Sequence, residues 1–81
     1  MGGVAGTVAD TKIIFKKALG LLATSIILSH NHPSGVPEPS RADISLTRRL
    51  TDAFMLVDVK VLDHIVVGGT ETASFAERGL L

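Results

Sequence analysis

His30 and His32 flank Asn31 in the stretch Ser29 to Asp43, which reads S-H-N-H-P-S-G-V-P-E-P-S-R-A-D and holds all three prolines of the chain. With Asp43 they form an ordinary zinc ligand set, two neutral imidazoles and a carboxylate. The fourth tetrahedral position is left for water, and three protein ligands with one open place is the catalytic pattern rather than the structural one. The chain has no cysteine, so disulfides and thiolate zinc sites are excluded and any metal must be held by His and carboxylate.

Convergence of these three groups rests on two separate placements. In an extended backbone alternate side chains leave on the same side, so His30 and His32 share one face where a strand passes into a loop. In open α/β sheets, ligands bind at the carboxyl ends of strands. Asp43 lies at i−3 and i−7 from Leu46 and Leu50, which puts it on the buried face of the following helix. An unpaired carboxylate there is costly. Each group also has a plainer reading. H-x-H alone is a weak signal, Ser40 can be only an N-cap, and Asp43 can be a capping-box carboxylate facing water at a helix N-terminus.

The elements that must position these residues follow from periodicity. Residues Met1 to Asp10 are rich in Gly and Ala, with Val4 and Val8 placed for a short extended segment. The abrupt start reads as a piece of something longer. Asp10-Thr11 is a helix start. Ile14, Ala18, Leu21 and Leu22 then form an apolar stripe, widened by Ile13 and Phe15 and flanked by Lys12, Lys16 and Lys17. Ser25 to Ser29 reads as a strand buried on both faces. Pro33, Pro37 and Pro39 forbid helix from Asn31 to Pro39, and Gly35 permits a turn. Ser40 caps a helix whose face is marked by Leu46, Leu50, Ala53, Phe54 and Val57, with Arg48 and Arg49 off it. Val59 to Val67 is strand-like and ends at Gly68-Gly69. Ser74 to Arg78 reads as a last helical turn stopped by Gly79. The order helix, strand, helix, strand, with crossovers long enough for parallel pairing, places the chain in the α/β class.

Composition narrows the function classes. Eighty-one residues, 46% of them hydrophobic and 20% charged, suit one small globular domain. The formal net charge is zero, which gives no electrostatic case for nucleic acid or an anionic membrane surface. No apolar run approaches the ~20 residues of a membrane span, and no leader opens the chain. The expectation is a cytoplasmic protein.

His30, His32, Ser40 and Asp43 match the JAMM motif, H-x-H, seven residues, then S-x-x-D. The chain therefore resembles the JAB/MPN metalloprotease superfamily. The longer string S-H-N-H-P-S-G followed by P-S-x-x-D is similar to the RadC family in particular. So are G-T-V at Gly6, V-L-D-H at Val61 to His64 and S-F-x-E-x-G-L at Ser74 to Leu80. The resemblance covers nearly all of residues 1–81 as one partial domain. It implies a mixed α+β sandwich of the cytidine-deaminase-like MPN/JAB type, with zinc held by His30, His32 and Asp43. It implies hydrolysis of peptide or isopeptide bonds in a protein or peptide substrate, with Ser40 donating a hydrogen bond to the developing oxyanion.

The family's glutamate belongs on a strand well before Gly6, and this chain has no acidic residue before Asp10. Glu38, between two prolines, is a poor substitute. The alternative is a non-catalytic metal- or protein-binding module, linked to DNA repair by family name alone. A free sheet edge, and self-association through it, are expected. His64 is open to two readings, a partner for a ligating histidine or a strand histidine bonded to something unrelated. His30-Asn31-His32 is not an HNH nuclease signature, because no ββα hairpin surrounds it.

Overall fold

The structure, a computed structural model, describes residues 11–81, with side chains from position 13 onward. The elements run α1 (Thr11–Gly20), β1 (Ser25–Asn31), α2 (Arg41–Met55), β2 (Lys60–Gly68) and β3 (Glu71–Ser74). β1 pairs with β2 in parallel and β2 with β3 antiparallel, giving the order β1-β2-β3. The class is α/β with a mixed sheet, as expected. The extended segment at Val4 and Val8, the Gly6 to Val8 match, the Asp10 cap and the Lys12 flank lie outside the described residues. No helix among the described residues is long and apolar enough to cross a membrane.

Both helices pack on one face of the sheet. Ala18, Leu28, Leu50, Phe54, Val59 and Val61 form the buried cluster, with Ile14, Phe15, Ile26 and Leu46 against it. The Phe15 and Phe54 rings stack at 4.9 Å. β1 alternates strictly. Ile26, Leu28 and His30 face inward, while Ser25, Ile27, Ser29 and Asn31 are exposed. Burial on both faces is therefore corrected to burial on one, since the described residues place nothing over Ile27, which is 47% exposed. β1 has β2 as its one hydrogen-bonded neighbour among the described residues.

β2 breaks its own alternation. Ile26 pairs with Val61 and Ile27 with Asp63, so Leu62 is bulged out of the register. Strict period two would send Val61 and His64 to opposite faces. The extra residue resets the phase, and both are buried.

Gly69, at φ 61, allows the turn into β3, a strand that the sequence pattern did not reveal. The expected last helical turn follows β3. Arg78 N–H donates to Ser74 C=O at helical spacing, and Leu80 N–H donates to Phe75 C=O across a left-handed Gly79 (φ 70), where the turn stops.

α1 and α2 stop in the same way. Ala23 N–H donates to Ala18 C=O across a left-handed Leu22 (φ 54), and Val59 N–H donates to Phe54 C=O across a left-handed Asp58 (φ 59). This is the Schellman closure. Because α1 ends at Gly20, Leu21 and Leu22 leave the expected stripe and are 60% and 86% exposed. Val57 likewise lies past the end of α2 and is exposed. A leucine in the left-handed region carries a Cβ clash that glycine lacks. Leu22→Gly should therefore stabilise the fold by about 1 kcal/mol. The check is a higher urea midpoint at unchanged m, and a midpoint at or below the parent's would contradict it.

Candidate metal centre

Ser40 begins α2 with extended backbone. Its Oγ accepts from Asp43 N–H at 3.0 Å, and its own N–H donates to Asp43 Oδ2 at 2.8 Å, a complete capping box. The plainer reading of Asp43 is thus correct as far as it goes. The same carboxylate also does more. Its Oδ2 lies 2.9 Å from His32 Nε2 and its Oδ1 lies 3.3 Å from His30 Nε2. It does not face open water, since its side chain is 15% exposed, beside histidines at 21% and 19%.

His30 and His32 leave the same side of β1, as period two requires, with ring centroids 4.6 Å apart and edge to face. Pairing with β2 continues past the strand end, because His32 N–H donates to Val67 C=O at 2.7 Å. The proline-bearing loop then returns Val36 C=O to His32 Nδ1 at 2.8 Å. β2 presses on this loop at a position that only glycine suits. A Cβ on Gly68 would stand 2.4 Å from Pro37 N and 2.6 Å from Val36 C.

One ligand atom from each of His30, His32 and Asp43 lies within 4.8 Å of the others. Ligand bonds of about 2.0–2.1 Å at tetrahedral angles separate neighbouring donors by about 3.3 Å, so the donor set fits zinc in spacing and in kind. A carbonyl can only accept, so His32 Nδ1 carries the proton. A neutral His32 then points the Nε2 lone pair at a carboxylate oxygen 2.9 Å away. Two lone pairs so placed repel, and a cation between them removes the repulsion.

Burial would raise the Asp43 pKa. Hydrogen bonds from the Ser40 backbone and hydroxyl, with the neighbouring His30 and His32, outweigh it and hold the carboxyl below its usual range. Asp43 therefore stays ionised, the form that holding a metal would require.

His64 and Thr47 complete the inner layer. His64 is 4% exposed and lies between His30 Nδ1, 3.0 Å from its Nε2, and Thr47 Oγ1, 2.6 Å from its Nδ1. Burial first, then the nearby His30, lowers its pKa to about 4 against the pull of Asp43 and Asp63, so the ring is neutral. Periodicity alone does not single out Thr47. Its signal was a hydroxyl four residues after Asp43, on the same helix face, among Leu46 and Leu50. Glu38 is turned away from this cluster to Arg78, whose Nη1 lies 2.6 Å from both its oxygens.

The two downstream motifs meet behind His64. Phe75 stacks on its ring at 4.6 Å. Asp63 accepts from His64 N–H, Ala76 N–H and the Ser74 hydroxyl.

A family profile described as RadC-like JAB domain matches residues 1–80. A UPF0758 protein of Nitrosococcus oceani is 56% identical over 80 residues, covering 99% of this chain and 36% of the relative. A UPF0758 protein of Vibrio atlanticus is 62% identical over 66 residues, covering 82% of this chain and 30% of the relative. The chain thus spans about a third of the length of the curated relatives it matches.

Burial raises the Asp63 pKa, but the bonds from Ser74, Ala76 and His64 exceed that effect and lower it overall. The stability Asp63 contributes is then complete above the unfolded carboxylate pKa of ~3.9 and is lost as pH falls through the depressed folded value. Asp63→Ala should cost about 1–3 kcal/mol at pH 7, with a smaller gap from the parent below pH ~3.9. Urea titrations at both pH values measure this, and a gap independent of pH would refute the assignment.

Proposed function

The chain belongs to the RadC-like JAB domain family, a module of the JAB/MPN type, and on that premise we propose that His30, His32 and Asp43 hold zinc for hydrolysis of peptide or isopeptide bonds. One observation carries the metal: a carboxylate faces the Nε2 atoms of two imidazoles at 2.9 and 3.3 Å, and one of those rings has its other nitrogen committed to a carbonyl. Zinc, when bound, supplies polarisation of a carbonyl and a water acidic enough to attack near neutral pH.

The remaining work falls to the chain's own groups. Ser40 N–H and the first turn of α2 keep Asp43 ionised. The Ser40 hydroxyl accepts from Asp43 N–H, and its proton, within reach of the Asp43 carboxylate, would turn to an oxyanion as charge develops on it. The three ligating side chains remain 15–21% exposed, so the cluster can be reached from solvent.

Glu38, the carboxylate of the proline-bearing loop, is bound to Arg78 and is not placed to move a proton at the cluster. That pairing supports a second reading, a module that binds metal or protein without turnover.

Metal analysis of the purified chain should find one zinc per chain, and His32→Ala should abolish it. A zinc-free parent, or a His32→Ala protein that keeps its zinc, would sink the assignment. Turnover of an isopeptide-linked substrate by zinc-loaded protein, lost in Ser40→Ala, separates the hydrolase from the silent module.

We also propose that two copies associate along β1, whose outer edge has no strand beside it among the described residues and carries the exposed Ile27. Sedimentation equilibrium should show concentration-dependent dimer. A monomer at millimolar concentration would count against it.

A further inference from the structure

His64 and Thr47 take no part in holding the metal in the reading above, yet they lie in an unbroken chain of hydrogen bonds that begins and ends at its ligands. The Thr47 hydroxyl lies 2.7 Å from Asp43 C=O and can only donate there. Its oxygen is then an acceptor for His64 Nδ1, 2.6 Å away, so the His64 proton sits on Nδ1. His64 Nε2 is left as a lone pair, and at 3.0 Å it can only accept from His30 Nδ1–H. The proton of His30 is thereby placed on Nδ1, and its Nε2 lone pair is turned toward Asp43 Oδ1. Each link has one permitted direction, because the carbonyl at the end of the chain cannot donate.

From this we infer that His64 and Thr47 are positioning residues that lock the tautomer and ring orientation of His30, so that α2 supplies a ligand through the Asp43 side chain and aims a second one through the Asp43 carbonyl. The inference rests on the metal reading proposed above. A satisfied core histidine would also be buried and stacked on Phe75. It would not need its Nε2 directed at the non-ligating nitrogen of a ligand. Partners of this kind fix the ring and raise the basicity of ligating histidines, and their loss commonly costs about 10–100-fold in metal affinity.

The test uses the full chain, with zinc as the probe, and compares parent, His64→Phe, Thr47→Val and Thr47→Ser. His64→Phe keeps a ring for Phe75 to stack on, and Thr47→Val keeps shape without the hydroxyl. Zinc affinity by chelator competition should fall on the order of 10–100-fold in His64→Phe and measurably in Thr47→Val, with Thr47→Ser restored to the parent value. The ¹⁵N shifts of the metal-free protein should show the Nδ1–H tautomer for His30 and His64 in the parent, and a mixed tautomer for His30 in His64→Phe. A parent that binds zinc beside a His64→Phe protein of equal affinity and unchanged His30 tautomer overturns the relay alone. A parent that binds no zinc overturns the metal reading instead, while its ¹⁵N shifts still show whether the bond directions are right. Should His64→Phe fail to fold, the Thr47→Val and Thr47→Ser pair decides the matter with every imidazole in place.

Discussion

The Asp43 carboxylate stands between the first turn of α2 and two imidazoles at the end of β1, and both sides depend on its charge. Toward the helix it accepts Ser40 N–H, closing a capping box that satisfies backbone donors with no partner inside the helix. Toward the strand it faces His30 and His32. Capping boxes contribute about 1 kcal/mol wherever they occur, so the cap alone explains the start of α2. It does not explain why two histidines converge on the same two oxygens. A shared cation makes that convergence favourable, and the helix N-terminus keeps the carboxylate ready for one.

The surrounding fold serves this junction from three directions. Parallel pairing with β2 carries β1 on to His32, and the close approach of Gly68 seats the loop whose Val36 carbonyl holds that ring. α2 contributes Asp43 and, one turn later, Thr47. The bulge in β2 brings His64 to the inner face. Asp63 then binds the loop after β3 and so seats Phe75 beneath the His64 ring. The V-L-D-H and S-F strings therefore meet side by side, Asp63 with Ser74 and Ala76, and His64 with Phe75.

The convergence of His30, His32 and Asp43 was legible in the residues because each placement is local. Period two puts His30 and His32 on one side, a capping pair starts α2 at Ser40, and helical phase turns Asp43 inward. α1, β1, α2 and β2 follow from the same periodicities. What was not legible depends on breaks in period or on tertiary pairing. The bulge at Leu62 cannot be seen from alternation, so the reach of His64 to His30 stayed open. Thr47 reads as an ordinary helix residue until His64 is placed beside it. Leu21 and Leu22 fit the stripe of α1 but lie past its last residue, Gly20, and Leu22 is itself the left-handed stop. β3 is only four residues long, too short for a pattern of its own, and it exists because Gly69 returns the chain to β2.

A cation shared by His30, His32 and Asp43 would be located by diffraction from zinc-soaked crystals across the zinc absorption edge. A single anomalous peak is expected about 2.0–2.2 Å from His30 Nε2, His32 Nε2 and an Asp43 carboxylate oxygen. An anomalous map with no peak at that point, at a zinc concentration that saturates uptake in solution, would contradict it.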